Sequence, residues 1–177
     1  MYRTIPCGIR SPRMVIILDD VVNLNSSFQR DIINVFSERK QKNIDERWYS
    51  LDEEHMFKDF CVQMITKANY YVNLTSCIGY EFWTQNNTRP ARRHQDKDER
   101  LVERTGEYSF PLCSLIYYPI VENLEGGQLH VDDAIIRPKT NRLVMISAGM
   151  WHYVEEFTGT RISFLINPWD KTLNNLT

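Results

Sequence analysis

The hydrophobic and polar positions of the chain change their period once along its length. Before about residue 76, apolar residues either run together or recur at helical spacing. A continuous apolar run at 14–18, rich in Val and Ile, predicts a buried strand. A helix is then predicted from Asn25 or Ser26 to about Lys40, with its apolar side chains on one face.

The second predicted helix has a better-marked start. Ser50 stands three residues before Glu53, an arrangement that predicts a capping box. Acidic residues fill positions 52–54, where the dipole of such a helix favours them. One face then carries apolar residues at helical spacing, namely Phe57, Phe60, Cys61, Met64, Ile65 and Ala68.

After about residue 76 the chain alternates with a period of two, beginning at 80–85. Strand-like runs follow at 109–118, 127–131, 142–147, 152–157 and 161–167. Turn signals separate the runs at 86–87, 125–127, 138–141 and Thr158-Gly159. So many short strands are typical of a sandwich, a jelly roll or a barrel, and two preceding helices can cover one face of it.

Composition restricts the class of protein. The 177 residues suit one domain, predicted to comprise an N-terminal strand and helical support at 1–75 and a β core at 76–169. A net charge of -2 favours neither nucleic acid nor an anionic membrane as a partner. None of the four cysteines forms a C-x-x-C pair, which is typical of free thiols in a reducing compartment. A cytoplasmic location is therefore expected, without a membrane anchor, because the N-terminal apolar run is too short to cross a bilayer.

The candidate chemistry begins with the pair His94-Gln95-Asp96. Residues i and i+2 of an extended segment point the same way, so this imidazole and this carboxylate can meet one metal ion. His152 opens a later predicted strand and can complete the set. Two histidines and one carboxylate on one face of an octahedral ion form the facial triad of non-haem Fe(II) oxygenases.

Arg161 lies nine residues after His152, beyond the predicted turn. An arginine there can clamp a distal carboxylate through two hydrogen bonds, while a 2-oxo acid group at the other end of the same ligand chelates iron. A rival pair, His130-Val131-Asp132, is less favoured because His152 follows it too closely to return across the β structure. His55, among acidic residues, is expected to be solvated.

Five segments together resemble the prolyl-hydroxylase-like branch of the 2-oxoglutarate- and Fe(II)-dependent dioxygenases. They read LIYY at 115–118, GGQL at 126–129, NRLVMI at 141–146, WHYV at 151–154 and GTRIS at 159–163. The resemblance runs from His94 to about Asn167, roughly the C-terminal half. It implies a mainly β fold with flanking helices, a double-stranded β-helix of the jelly-roll, cupin-like kind.

The resemblance also implies roles for single residues. His94, Asp96 and His152 correspond to the iron ligands, and Arg161 to the residue that pairs with the 5-carboxylate of 2-oxoglutarate. Tyr118 falls where relatives place a tyrosine that reaches the same carboxylate, with Tyr117 on the opposite face. The residues expected to line the cosubstrate pocket are Ile116, Leu129, Val154 and Ser163.

The implied reaction converts 2-oxoglutarate and O2 to succinate and CO2 and hydroxylates an unactivated C–H bond, with ascorbate as a candidate reductant. Its substrate is expected to be an amino acid, a peptidyl residue such as proline, or a related small molecule, and Asp96 favours hydroxylation over halogenation. Two alternatives remain open at this stage. The chain could be a jelly-roll binding module with a structural metal or none, or a cupin-like metalloenzyme that does not use 2-oxoglutarate.

Overall fold

The computed structural model describes residues 13–23, 32, 44–86 and 91–173. These residues form ten strands and two helices. The strands are β1 Val15–Asp19, β2 Arg47–Ser50, β3 Gly79–Gln85, β4 Ala91–His94, β5 Cys113–Gly126, β6 Leu129–Val131, β7 Ala134–Ile136, β8 Arg142–Ser147, β9 His152–Val154 and β10 Phe157–Trp169. The helices are α1 Lys58–Ala68 and α2 Glu99–Thr105.

The strands form two antiparallel sheets. The large sheet has the order β1-β8-β5-β10-β3-β2, and the small sheet has the order β4-β9-β6-β7. Their facing sides share one apolar core, in which Ile116 and Val144 of the large sheet pack with Leu129 and Val154 of the small one. This inner core lies beside the candidate chemistry, because β4 and β9 carry the two histidines of the predicted triad.

The outer face of the large sheet is covered by α1. Alternation along β5 sends Tyr117 into this outer core and Tyr118 into the inner one, as predicted. Phe60 of α1 packs against Tyr117 and Phe164, with ring centroids 4.9 and 5.7 Å apart. The large sheet therefore has an apolar core on each face, which makes it a rigid support for the residues that it presents to the interior.

The predicted architecture is confirmed in its coarse features. The chain is mainly β with flanking helices, and β8 occupies the predicted run at 142–147. The predicted helix at about 26–40 falls outside the described residues except for Ile32, which is helical and buried. Neither described helix has both the length and the apolar character needed to cross a bilayer.

The predicted capping box at Ser50 is wrong. Ser50 is the last residue of β2, paired with Gly79, and its hydroxyl donates to the Asp52 carboxylate across 2.6 Å. The helix begins only at Lys58, after a turn. The neighbouring Trp48 and Tyr49 favour a strand, and pairing with β3 prevails over the local capping signal.

The predicted turn at Thr158-Gly159 is also wrong. Both residues lie inside the continuous strand β10, where the pairing with β5 shifts register between Thr158 and Thr160. Gly159 has φ +87, and a Cβ there would stand 2.1 Å from the Asn123 carbonyl oxygen. The glycine therefore permits a bulge that bends β10 without ending it.

Candidate metal centre

The two histidines face each other across the small sheet. β4 and β9 are antiparallel, and His94 is the register partner of His152. The pairing is irregular. The step from Ala91 to His94 is three residues along β4, whereas the opposite step from Val154 to His152 is two residues along β9. The extra residue re-aims the end of β4, and the ring centroids of the two histidines lie 4.3 Å apart.

Asp96 completes the cluster from the segment that follows β4. Its Oδ1 lies 3.5 Å from His94 Nε2 and 3.6 Å from His152 Nε2. Ligand atoms about 2.1 Å from an octahedral ion lie about 3 Å from one another, so one ion could contact all three after a small adjustment. Among the described residues, these three form the one group of His, Cys, Asp and Glu side chains close enough to share an ion.

Each imidazole is already oriented for coordination. His94 Nδ1 lies 2.7 Å from the Arg92 carbonyl oxygen, and His152 Nδ1 lies 3.1 Å from that of Met150. Both Nδ1 atoms are therefore placed to donate to the carbonyl two residues earlier, which leaves each Nε2 atom facing Asp96. This support by a backbone acceptor is a regular feature of histidines that bind metals.

The electrostatics of the cluster suit a cation. The pKa of His94 is raised, chiefly by its interaction with the Asp96 carboxylate, whereas burial lowers the pKa of His152. Burial alone would raise the pKa of Asp96, but contacts with His94, the charge of His152 and a hydrogen bond from Ser114 together lower it. Asp96 is thus held as a carboxylate, and a bound metal would take the place of the proton on His94.

A second polar group lies farther along the inner face. Arg161 is only 6% exposed, and its guanidinium carbon stands 5.5 Å from the ring centroid of Tyr118 and 5.3 Å from that of Phe157. No ion pair within the described residues includes Arg161. Its Nε, the Tyr118 hydroxyl and the Ser163 hydroxyl are all buried without a hydrogen-bond partner.

Three orphaned polar atoms, one of them the Nε of the buried cation itself, fit an anionic ligand. Burying unpaired polar groups costs about 1–3 kcal/mol each, so a carboxylate that accepted from them would recover that cost. Burial raises the pKa of the Tyr118 hydroxyl, and the Arg161 charge opposes the rise, so the phenol stays a donor. These donors would suit a carboxylate group.

The remaining predicted lining residues lie on the inner side of the two sheets. Ile116, Leu129 and Val154 belong to the inner core, together with Tyr118. Ser163 lies on β10 between Ile162 and Phe164, which both pack in the outer core, so its side chain is on the inner side. All four residues therefore face the space between the two sheets.

The other two histidines take no part in this cluster. His130 Nε2 lies 2.5 Å from Glu155 Oε1, and its ring stacks on Tyr153 with centroids 4.4 Å apart. The expectation that His55 is solvated is wrong. Its ring stacks on Tyr49 at 4.0 Å, and its Nε2 lies 2.7 Å from the Tyr80 hydroxyl. A helical surface position was assumed for His55, whereas the segment before α1 folds against β2 and β3.

Sequence reasoning missed two polar residues near the cluster. Ser114 donates from its hydroxyl to Asp96 Oδ2 across 2.5 Å. Glu81 is buried on β3 and accepts from Trp169 Nε1 at 2.7 Å. Burial, opposed in part by this hydrogen bond, raises the pKa of Glu81 to about 8. Only the alternation of β3 and β5 could have indicated that both side chains point inward.

Two cavities are lined by residues next to the candidate ligands in the chain. One, of about 490 Å³, is lined by residues that include Arg93 and Met150, next to the ligand segments. The other, of about 750 Å³, is lined by Gln95, Phe110 and the loop at 147–149. Trp151, 41% exposed, lies under the Arg93 guanidinium at 5.3 Å. Both cavities thus include residues that neighbour the candidate ligands in the chain.

Solved structures share this fold. A Pseudomonas putida prolyl-4-hydroxylase aligns with a TM-score of 0.61 at 14% identity, covering 89% of this chain and 94% of that one. A Trichoplax adhaerens prolyl hydroxylase, solved with a hypoxia inducible factor peptide fragment, gives 0.55 at 11% identity, covering 88% and 83%. HygX from Streptomyces hygroscopicus, solved with nickel, 2-oxoglutarate and hygromycin B, gives 0.53 at 10% identity, covering 88% and 82%.

No protein-family model matches the sequence, and no curated protein matches it either. The likeness is therefore one of structure, at identities that show the fold alone. The resemblance to the prolyl-hydroxylase-like 2-oxoglutarate–Fe(II) oxygenases, predicted from five short segments, is confirmed at the level of that fold.

Proposed function

We propose that the protein is a 2-oxoglutarate- and Fe(II)-dependent hydroxylase built on a double-stranded β-helix. One observation carries the proposal. The cluster of His94, Asp96 and His152 lies at the β4–β9 side of the small sheet, and the orphaned donors of Arg161, Tyr118 and Ser163 lie on β5 and β10 of the large sheet that packs against it. A metal site alone or a buried arginine alone would have many explanations, whereas both together fit a chelating 2-oxo acid that carries a distal carboxylate.

The chain's own residues would position the iron and the cosubstrate and would exclude water. His94 Nε2, His152 Nε2 and Asp96 Oδ1 would hold the iron through one face, which leaves the opposite face free for ligands. Bound Fe(II) supplies the chemistry that couples decarboxylation of 2-oxoglutarate to oxygen insertion into a C–H bond. Arg161 and Tyr118 would bind the 5-carboxylate and so fix the orientation of the 2-oxo acid end. The apolar side chains of Ile116, Leu129 and Val154 would keep water from the bound cosubstrate.

The substrate proposed is a residue within a peptide, with proline the first to test. The open cavities beside the ligand segments support an extended substrate over a small enclosed one. The Trichoplax structure contains a peptide, which agrees with this choice, whereas HygX was solved with hygromycin B. A free amino acid or another small molecule is the second candidate.

The decisive experiment is anaerobic titration of the protein with Fe(II) and 2-oxoglutarate. We expect a weak visible charge-transfer absorption, which requires both the metal and the chelating 2-oxo acid. His152→Ala should abolish it, and the matched control His130→Ala should retain it, because His130 lies outside the cluster. Equal absorption in both variants, or none in the wild-type protein, would contradict the proposal.

Turnover assays separate the alternatives. Succinate release that depends on proline-containing peptides and not on free proline supports the peptidyl substrate, and the reverse result supports the free amino acid. A binding module without catalysis would release no succinate with any substrate. A cupin-like enzyme independent of 2-oxoglutarate would keep its activity in Arg161→Ala, because that arginine would then have no carboxylate to bind.

A further inference from the structure

Asp96 differs from the other two candidate ligands in how its backbone is held. His94 and His152 are fixed by direct pairing of β4 with β9. Asp96 lies in the connection between β4 and α2, outside any strand. Nearby contacts tie this connection down, including Gln95 Nε2 to the Gly149 carbonyl oxygen at 2.5 Å. None of these contacts sets the rotation of the Asp96 carboxylate.

Ser114 provides that missing restraint. Its hydroxyl donates to Asp96 Oδ2 across 2.5 Å, and its side chain is buried on the inner face of β5. β5 is an interior strand of the large sheet, where Ser114 is paired with Ile146 of β8. The donor therefore stands on one of the most constrained strands of the molecule, whereas its acceptor lies in a connection.

We propose that Ser114 is a positioning residue that makes Asp96 a ligand through one oxygen only. The inference rests on the proposed function. Because Oδ2 is engaged by the serine, Oδ1 alone faces the two histidines, at 3.5 and 3.6 Å from their Nε2 atoms. Without the serine hydroxyl the carboxylate is free to rotate, and both oxygens can reach the same ion.

The number of oxygens matters for the chemistry. A facial triad leaves three coordination positions, which a chelating 2-oxo acid and dioxygen together fill. A carboxylate that bound through both oxygens would take one of those positions. A hydrogen bond from a hydroxyl to a carboxylate is among the stronger ones in proteins, and loss of a partner that orients a metal ligand lowers metal affinity about 10–100-fold.

The experiment uses Co(II) alone as the probe, so that neither cosubstrate nor turnover is needed. Co(II) affinity and the visible absorption spectrum of the Co(II) protein are measured for the wild-type protein, Ser114→Ala and Ser114→Thr. Thr84→Val is the matched control. This substitution also removes a buried hydroxyl. The Thr84 hydroxyl accepts from the Ile44 backbone N–H at 2.7 Å and does not contact Asp96.

We expect Ser114→Ala to bind Co(II) about 10-fold more weakly and to change the shape and intensity of the absorption bands, which report coordination number. Ser114→Thr, which keeps the hydroxyl, should restore the wild-type spectrum, and Thr84→Val should leave it unchanged. If Ser114→Ala is unstable, Ser114→Val is measured in its place, because valine has the shape of the threonine variant without its hydroxyl and cannot donate or bind the metal.

Wild-type affinity and an unchanged spectrum in Ser114→Ala, or in Ser114→Val where that replaces it, would overturn the inference and leave the proposed function standing. Failure of the folded wild-type protein to bind Co(II) would remove the metal centre and both proposals together. Weakened Co(II) binding in Ser114→Ala, with no succinate formed by the wild-type protein, would support the role of Ser114 and refute the hydroxylase.

Discussion

Replacing Arg161 by methionine should separate ligand binding from stability. Arg161 is buried against two aromatic rings, in no ion pair within the described residues, and its Nε has no hydrogen-bond partner. Burial lowers its pKa, because desolvation disfavours the charged form. A cation in such a place is costly to the unloaded fold, and removing it should be neutral or stabilising.

The magnitudes follow from the contacts that the guanidinium can make. A hydrogen bond to a charged group contributes about 1.5–3 kcal/mol, and a two-pronged arginine–carboxylate contact has two of them. Taking the lower value for each gives about 3 kcal/mol, which corresponds to roughly a 100-fold loss of 2-oxoglutarate affinity. For the unloaded protein, we expect Arg161→Met to change the free energy of unfolding by less than about 1 kcal/mol, or to raise it.

Two measurements test this expectation. Affinity for 2-oxoglutarate is measured by anaerobic calorimetry on the Fe(II) protein, and the free energy of unfolding by urea denaturation without ligands. Arg161→Lys keeps the charge but not the paired N–H groups of the guanidinium, so we expect an intermediate loss of 2-oxoglutarate affinity. The control is Arg137→Met, because Arg137 is exposed. Binding within threefold of wild type in Arg161→Met would refute the clamp. A large loss of stability without ligands would show that the arginine has a structural partner.

Three further predictions concern buried groups on the same strands. Tyr118→Phe should lower 2-oxoglutarate affinity about 5–10-fold by calorimetry, yet leave thermal stability without ligand unchanged or raised, because the lost hydroxyl has no partner. Gly159→Ala should lower the free energy of unfolding in urea by about 3 kcal/mol, and Gly106→Ala by about 1 kcal/mol. Both glycines have positive φ, but only at Gly159 would the added Cβ collide with a backbone atom, the Asn123 carbonyl oxygen. For Glu81, whose native pKa of about 8 lies above its ordinary value of 4.5, the stability that this one group contributes is fully present below pH 4.5 and is lost as pH rises through 8. Glu81→Gln should remove this loss, so that its stability relative to the wild-type protein in urea denaturation grows from pH 5 to pH 9 by on the order of 4 kcal/mol; a difference independent of pH would contradict the assignment.

The convergence of His94, Asp96 and His152 was easier to predict than the helices and turns. Spacing of two residues puts His94 and Asp96 on one side of an extended segment whatever the rest of the chain does, and the structure brings both to His152. The alternation along β5 likewise separated Tyr117 from Tyr118 correctly. These inferences succeeded because they depend on local geometry that the tertiary structure preserves.

The failures share one cause, which is pairing with a distant strand. Ser50 resembles a helix cap in isolation, but its backbone pairs with Gly79. Gly159 resembles a turn residue, but β5 continues alongside it. The hydrogen bond from Ser114 joins two residues 18 apart whose meeting depends on the path of the whole chain between them. A single sequence carries no direct signal for such partners.

The extra residue in β4 has a consequence for how such sites are found by comparison. If β4 and β9 paired regularly from Ala91 opposite Val154, Arg93 and not His94 would lie opposite His152. A regular pairing with no residue lost would therefore change which side chain enters the centre while every ligand residue remained in the sequence. A descendant whose β4 lost the irregularity but kept its length would keep the motif and lose the metal, so inheritance of this site is better judged by how β4 pairs with β9 than by finding the histidine.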